Sequence, residues 1–237
     1  MTAGTEAARS RRERPAKPAL SRAGIVAASV AVMRSEGLER LTMRRLAQEL
    51  DTGAASLYVY FRNTAELHAA VLDELLGTVN LGPATDSGPW RERLVDILTS
   101  YIQVLFEHPS LARSALVARP SGENYLALLE RLLAVLESGG IDRGRAAWAV
   151  DLLLQFATAS AAEHGTRHEA PDTQEDWASS IQALQSVSPS RYPHLVATTD
   201  DLFTGTPTER LTWMFEVLLN GILTAPTPTP QPAHPGP

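Results

Sequence analysis

Two adjacent arginines, Arg44 and Arg45, stand in the segment LTMRRLAQEL of a chain whose formal net charge is −6. Guanidinium groups bind phosphate oxygens and guanine edges, so such a pair on one helix is suited to nucleic-acid binding. Residues 9–62 hold 11 of the 21 Lys and Arg residues against 5 Asp and Glu residues. From residue 81 onward the corresponding numbers are 10 and 18. This division of charge predicts that the amino-terminal part binds a polyanion.

The composition of the chain excludes several kinds of site. With 237 residues and a hydrophobic fraction of 44%, the chain is long and apolar enough to form a substantial core. Cysteine is absent, which excludes disulfides, thiolate metal ligands and a cysteine nucleophile. The sequence has neither the apolar segment of a secretory signal nor a run of about 18 apolar residues. We therefore expect a cytoplasmic protein.

Few other residues have the spacing that catalysis or metal binding requires. His164 and His168 are four positions apart, as helical metal ligands often are. Gly165 lies between them and is expected to end the helix there. No nucleophile, general base or metal cluster has a convincing arrangement. The sequence therefore predicts neither an enzyme nor a bound metal or cofactor.

The elements that position the arginines are helical, because the periodicity of the chain is helical and no alternating strand pattern occurs. Thr42 is a suitable cap for a helix that runs to about Leu50. The sequence Asp51-Thr52-Gly53 then predicts a turn, followed by a second short helix over residues 54–61. Two short helices joined by a tight turn with glycine form a helix-turn-helix, whose second helix enters a major groove of DNA.

The residue types of the second helix suit this role. Its first residues are small, which allows close approach to base edges, and its two tyrosine hydroxyls are potential donors to phosphate. Leu57 and Phe61 are expected to anchor the helix in the core. The residues predicted from the sequence pattern to contact DNA are Thr42, Arg44, Arg45, Ala54, Ala55, Ser56, Tyr58, Val59 and Tyr60.

The rest of the chain divides at the Gly- and Pro-rich segment NLGPATDSGPW, which places a domain boundary near residue 81. The fold is predicted to be all-α, with a three-helix helix-turn-helix domain followed by a larger helical domain. Helices are expected over residues 21–36, 64–79, 89–107, 110–118, 122–138, 142–164, 174–186 and 206–224, with an irregular connection over 187–205. The predicted domains are a disordered basic arm (1–19), the DNA-binding domain (20–80), the larger domain (81–224) and a disordered proline-rich tail (225–237).

Whether the basic arm contacts DNA stays open at this point. It could enter a minor groove, but a tail that adds only nonspecific attraction is the favoured interpretation.

The segment LTMRRLAQEL, the turn and SLYVYFRNTAEL, preceded by AASVAVMRSEGLERLT, resemble the helix-turn-helix signature of the tetracycline-repressor (TetR) family over residues 20–76. The resemblance implies a homodimeric, ligand-responsive regulator, and we expect a repressor that binds palindromic operator DNA and is released by a small, largely apolar effector. Thr64 stands where these proteins often carry a lysine that contacts phosphate. We retain Thr64 as an uncharged phosphate contact.

A weaker resemblance to the tetracycline-binding domain of that family extends over the second half, through Trp90, the Arg119-Pro120 pair, Tyr125 and the helix up to Gly140. Ala115 occupies the place of the magnesium-linked histidine, which argues against a tetracycline–metal complex as effector. Position within that domain and side-chain type together predict nine ligand-contacting residues. They are Asn80, Ile97, Tyr101, Arg119, Leu128, Arg131, Trp148, Gln155 and Phe156.

The resemblance further implies that helices 142–164 and 206–224 form a four-helix interface between two copies of the chain. Two apolar stripes support this expectation. They consist of Ala149, Leu152, Phe156 and Ala159 on the first helix, and of Leu211, Met214, Phe215, Leu218 and Ile222 on the second. The alternative hypothesis is a helical enzyme or small-molecule carrier whose basic amino-terminal helices do not read DNA sequence.

Overall fold

A computed structural model describes residues 19–83, 88–117, 120–169 and 173–226. Within these ranges the chain forms eleven α-helices, one short 3-10 helix and no strand. The helices belong to two compact units, residues 1–62 and residues 63–237. Nearly all of the predicted basic arm and most of the predicted proline-rich tail lie outside the described residues.

The first unit contains three helices: α1 (Arg22–Glu36), α2 (Met43–Glu49) and α3 (Ala54–Leu57), with a 3-10 turn at Leu38–Arg40. Helix α1 ends at Gly37, whose φ of 91° is a conformation that favours glycine. The predicted cap of α2 is confirmed, because the Thr42 hydroxyl accepts a hydrogen bond from the backbone N–H of Arg45.

Helix α3 is shorter than predicted, since residues 58–60 form a turn rather than a further helical turn. Aromatic and β-branched side chains have low helix propensity, and Tyr58-Val59-Tyr60 consists of them alone. The anchors are confirmed: Leu57 and Phe61 are buried almost completely. They belong to a core that also contains Ile25, Val26, Val32, Met33, Leu38, Leu41, Met43, Leu46 and Ala47.

The second unit contains eight helices. They are α4 (Thr64–Leu76), α5 (Trp90–Glu107), α6 (Pro109–Ala115), α7 (Glu123–Ser138), α8 (Arg143–Glu169), α9 (Thr173–Gln185), α10 (Pro193–Leu202) and α11 (Pro207–Thr224). The longest, α8, packs against α5, α6, α7 and α11. Helix α4 packs against α5, α6 and α7 and therefore groups with this unit, although the Gly- and Pro-rich segment predicts the boundary after it.

The prediction that Gly165 ends its helix is wrong, because α8 continues through it to Glu169. A Cβ atom at Gly165 would collide with the ring of Pro109, the first residue of α6. Glycine at this position therefore permits the close approach of α6 to α8. The cost of glycine within a helix, about 1 kcal/mol relative to alanine, is offset by this packing.

The predicted irregular connection over residues 187–205 is also wrong in part, because it contains α10. Pro193 occupies the first turn of that helix, where proline has no hydrogen bond to lose. None of the residues of α10 is buried, so the apolar periodicity that would have revealed it is weak. The start of α11 agrees with the prediction, since Thr206 and Glu209 form a reciprocal capping box.

The core position of Leu57 leads to a test of the first unit. Leu57→Ala deletes fully buried methyl groups and should destabilise the protein by about 2–5 kcal/mol. Val59→Ala is the matched control, because the Val59 side chain is 81% exposed. Both variants are compared by chemical denaturation followed by circular dichroism. Equal losses of unfolding free energy would contradict the assignment of inside and outside positions.

Candidate functional site

The two adjacent arginines have different environments. Arg44 is exposed and forms no hydrogen bond or ion pair with any residue that the structure describes. Arg45 donates from Nε to both carboxylate oxygens of Glu36 at 3.0 Å, and from Nη2 to Glu49 at 2.8 Å. These contacts join α1 to α2 and lower the pKa of Glu36, chiefly through the hydrogen bonds from Arg45. In this structure the Arg45 guanidinium is thus paired within the chain, and its contact with phosphate stays a prediction.

The two tyrosines of the motif also differ. Tyr58 is 54% exposed, whereas the hydroxyl of Tyr60 donates to the carbonyl of Leu20 at 2.7 Å. The carbonyl of Tyr60 accepts from Arg22 at 2.8 Å, and the same guanidinium lies 4.3 Å from the centre of the Phe61 ring. In this structure the Tyr60 hydroxyl thus donates its hydrogen bond within the chain, and its contact with phosphate stays a prediction.

The outward surface of the motif is small and partly apolar. Ala55 and Val59 are exposed, and Ala54 and Ser56 are half-buried. Thr64, the other nominated phosphate contact, is the first residue of α4 and lies in the second unit. Its neighbour Asn63 caps that helix by accepting from the N–H of Glu66 at 2.8 Å.

A cavity of about 420 Å³ lies in the second unit, between α5, α6, α7 and α8. Its volume falls within the range of small-molecule sites, about 300–1,000 Å³. The lining is mostly apolar, with a few polar groups at one wall. The lining residues are Tyr101, Ala115, Leu116, Pro120, Tyr125, Leu129, Leu133, Ala147, Val150, Asp151, Leu154, Gln155 and Thr158.

A buried hydrogen-bonded pair supplies polarity within the cavity wall. The Thr158 hydroxyl donates to the carbonyl of Leu154, and the hydroxyls of Tyr101 and Thr158 are 2.7 Å apart. Because a threonine hydroxyl carries one hydrogen, Tyr101 is the donor in the second bond. Asp151 and Gln155 precede Thr158 on α8 by seven and three residues, so the three polar side chains share one helical face.

Two of the residues nominated for ligand contact, Tyr101 and Gln155, line this cavity. Ile97 and Leu128 lie in the core, outside the cavity lining. Trp148 is 64% exposed, and Phe156 packs edge-on against Phe215 at 5.6 Å.

Two polar residues predicted to contact the ligand, Asn80 and Arg131, form hydrogen bonds within the chain. The N–H of Asn80 donates to the Ser100 hydroxyl at 2.8 Å, and Arg131 donates to the carbonyls of Leu81 and Pro83. Arg119 lies outside the described residues. Several cavity-lining residues that the sequence did not predict are adjacent to predicted ones. Leu129 follows Leu128, and Ala147 precedes Trp148. One position along a helix turns a side chain by about 100°, so a small error of register selects another face.

The predicted apolar stripes of the carboxyl-terminal helices are only partly buried within the chain. Ala149 and Phe215 are fully buried, and Ile222 is nearly so. Leu152 and Ala159 of the stripe on α8 are exposed, and the remaining stripe residues are half-buried. Further exposed large apolar residues of the two helices are Trp148 on α8 and Trp213, Val217 and Leu223 on α11. The four-helix interface between two copies of the chain stays a prediction.

The metal-ligand spacing of His164 and His168 now falls within one continuous helix. His164 stacks against Phe106 with ring centres 4.5 Å apart, and the side chain of His168 is not described. Within the described part of the chain, no group of three or more His, Cys, Asp and Glu residues could hold a metal ion. No helix in that part is both long and apolar enough to cross a membrane.

Two family profiles match the chain. Residues 25–71 match "Bacterial regulatory proteins, tetR family", and residues 82–225 match "Tetracyclin repressor-like, C-terminal domain". Together they span both compact units.

Two curated relatives are named regulators. An HTH-type transcriptional regulator of Saccharopolyspora erythraea is 34% identical over 128 residues, which cover 54% of this chain and 53% of the relative. The match thus spans about half the length of that relative. The HTH-type transcriptional repressor DrrR1 of Streptomyces coeruleorubidus is 27% identical over 81% of this chain and 74% of its own length.

Solved structures of Streptomyces coelicolor proteins have the same fold. The transcription regulator SCO7704 is 55% identical, with a TM-score of 0.75 over 91% of this chain and 100% of that one. ActR in complex with actinorhodin is 32% identical, with a TM-score of 0.78 over 87% of this chain and 96% of that one.

The contacts of Arg45 predict how stability depends on pH. The lowered pKa of Glu36 means that its ion pair stabilises the fold above the unfolded pKa of glutamate, about 4.3. This contribution is lost as the pH falls through the lower pKa of the folded protein. Glu36→Gln should therefore lower the melting temperature at pH 7, and this effect should become smaller as the pH falls below about 4.3. Asp96→Asn, at an exposed position of α5, is the control; a Glu36→Gln effect that is constant from pH 3 to pH 7 would contradict the prediction.

Proposed function

Because the chain belongs to the tetracycline-repressor (TetR) family of ligand-responsive transcriptional regulators, we propose that it is a dimeric repressor. It binds a roughly palindromic operator and is released by a small, largely apolar effector. The observation that carries the proposal is that one chain combines a helix-turn-helix with an apolar cavity of about 420 Å³. Release of DNA by an effector requires a DNA-binding site and a separate small-molecule site in the same protein.

We propose that Arg44, Tyr58 and Val59 are the principal residues that read DNA. Arg44 and Tyr58 are exposed and supply a cation and a hydroxyl, and the exposed Val59 offers an apolar contact of the kind that thymine methyl groups accept. Arg45 and Tyr60 hold the motif together through contacts within the chain. We keep Thr42, Ala54, Ala55, Ser56 and Thr64 as backbone or base-edge contacts.

The relatives support the two halves of the proposal separately. DrrR1 is named a repressor, which favours repression over activation for this chain. ActR is a TetR-family protein solved with actinorhodin, which favours a small organic molecule as the effector here. The effector cavity we propose is lined by the residues of α5 to α8, with Tyr101 and Gln155 retained from the sequence-based set.

The competing hypothesis, a helical enzyme or carrier, has less support. The curated relatives are named transcriptional regulators, and no enzyme is among them. We therefore propose no catalytic role. A regulator of transcription works where the chromosome is, so a cytoplasmic location is part of the proposal.

The partner in the proposed dimer is a second copy of the chain. Trp148 and Leu152 on α8, with Trp213 and Val217 on α11, are exposed apolar side chains on two helices that pack against each other, and clustered exposed apolar residues are typical of interaction surfaces. A two-fold dimer would bury this face against its own copy and form a four-helix interface.

For release, effector binding must favour a different position of α4, which follows the helix-turn-helix directly in the chain. The free energy of coupling between the two sites must then be about 1–3 kcal/mol.

Arg44 and Arg45 are predicted to differ in role, with Arg44 contacting DNA and Arg45 stabilising the motif. Arg44→Ala should weaken binding to the protein's own promoter region by about 1–3 kcal/mol, if Arg44 reads a base, without lowering the melting temperature. Arg45→Ala should lower the melting temperature, because it leaves Glu36 and Glu49 without their partner. Gel-shift titrations and thermal melts of both variants measure this. The division of roles is wrong if Arg44→Ala melts early while Arg45→Ala does not.

The second prediction concerns assembly. Trp213→Ala removes a large apolar side chain from both halves of a two-fold interface, so each protomer loses about 1.5–3 kcal/mol of burial. The dimer dissociation constant should rise at least about tenfold. Leu126→Ala, at an exposed position of α7, is the matched control. Analytical ultracentrifugation reports both, and a parent protein that is monomeric yet fully active on DNA would refute the dimer.

The third prediction concerns the effector. In a thermal-shift screen of metabolites and antibiotics, a compound at 100 times its dissociation constant should stabilise the protein by about 2.7 kcal/mol. Hits should also release promoter DNA. Val150→Phe narrows the cavity and should abolish the thermal shift. If every compound that stabilises the parent protein leaves DNA affinity unchanged, induction fails as a function, although DNA binding stands.

A further inference from the structure

Helix α7 begins without a cap from its own segment. Its N-cap residue is Gly122, which has no side chain to accept hydrogen bonds from the first turn. The acceptor comes instead from α4: Oδ1 of Asp73 accepts from the backbone N–H of Tyr125 at 2.9 Å. Tyr125 is the third residue of α7, the position that an N-cap side chain normally serves. Asp73 is therefore the missing cap of α7, supplied across 52 residues of sequence.

The fit between α4 and α7 is close enough to require glycine. A Cβ atom at Gly122 would collide with the carboxylate of Asp73. One turn further along α4, a Cβ atom at Gly77 would lie 3.2 Å from Oδ1 of Asn124, the second residue of α7. The negative charge of Asp73 also faces the positive end of the α7 dipole. These contacts fix the second half of α4 to the first turn of α7.

The same first turn is part of the cavity. Tyr125, Leu129 and Leu133 follow one another at four-residue spacing along α7, and all three line the cavity. Pro120 lines it just before the helix begins. A compound that displaces this wall must move the start of α7, and the start of α7 is held by Asp73. Arg131 adds a second tie, because its guanidinium on α7 binds the carbonyls of Leu81 and Pro83, beyond the end of α4.

We propose that the contact of Asp73 with the amino end of α7 is the link that couples cavity occupancy to α4. The inference rests on the proposed function and names the contact that carries its regulation. Asp73 is a positioning residue: it lines neither the cavity nor the helix-turn-helix. Without this contact, α7 can respond to an occupied cavity with a smaller displacement of α4, because less of the energy of displacement is shared between the two helices.

The test uses a side chain as the cavity-filling probe, so no effector need be known. Leu129→Trp on α7 and, independently, Val150→Phe on α8 add volume to the cavity. Each filler is combined with Asp73→Ala, Asp73→Asn or Gly122→Ala in the full chain. Glu74→Ala is the matched control on α4, since Glu74 is exposed and adjacent to Asp73. Affinity for promoter DNA is measured by fluorescence anisotropy, with the melting temperature and dimer fraction measured on the same samples.

We expect either filler alone to weaken DNA binding about 5- to 150-fold, the range of coupling between two sites. Asp73→Ala and Gly122→Ala, which break the contact from opposite sides, should each reduce that loss at least about tenfold while leaving the unfilled protein's DNA affinity unchanged, and only the weaker tie through Arg131 remains. Asp73→Asn keeps an acceptor oxygen and should preserve the loss, and so should Glu74→Ala. A residue that merely stabilises the fold would change the melting temperature but not the effect of the filler.

Two results would overturn the inference, and they are distinguishable. If a filler weakens DNA binding equally with and without Asp73, the coupling runs elsewhere, and the proposed function stands without this link. If neither filler changes DNA affinity in the parent protein, cavity occupancy is not coupled to DNA, and the proposed induction fails together with the link. The two fillers lie on different helices, so misfolding of one leaves the other to decide.

Discussion

The second unit depends on the close packing of α8 against its neighbours. This helix contacts four others, and the surface it presents to them is dominated by small residues, including Ala146, Ala149, Ala157, Ala161 and Ala162. Small side chains let the backbones of α5 and α6 approach α8 closely. At Gly165 there is no Cβ atom, which would collide with Pro109 of α6. Where larger spacing remains, beside Val150, Leu154 and Thr158, the cavity opens. Helix α8 therefore contributes residues to the core, to one wall of the cavity and to the exposed face that we assign to the dimer interface.

Neighbouring residues in the first unit divide positioning from recognition. Arg45 forms ion pairs with Glu36 and Glu49, and the Tyr60 hydroxyl donates a hydrogen bond to the backbone carbonyl of Leu20. Arg44 and Tyr58, one and two positions away, stay exposed. A helix-turn-helix that reads bases must hold its short helices rigidly, because α3 has only four residues and little intrinsic stability. The paired side chains supply that rigidity, and the exposed ones are left to meet DNA.

The route from cavity to α4 follows from a local deficiency. A helix that starts at glycine has unsatisfied N–H groups, and burying them without an acceptor would cost about 1–3 kcal/mol for each group. The carboxylate of Asp73 meets that need for α7. Because the acceptor belongs to α4, the stability of one helix end depends on the position of another helix. Dependence of this kind is what a switch between two arrangements requires.

The sequence alone determined the features that rest on a few consecutive residues. The caps at Thr42, Asn63 and Thr206 are examples, because a cap is a contact between residues three apart. Most helices follow from the 3.6-residue period, and the family follows from the short motif around Arg44.

The tertiary structure alone decided which face of each helix meets what. It placed Leu129 rather than Leu128 at the cavity and exposed Trp148. It also turned Gly165 from a helix end into a packing contact. It gave Arg45 its partner on another helix and gave α7 its cap from α4. These outcomes depend on groups far apart in the chain, whose proximity is set by the packing of the whole unit, so no local pattern records them.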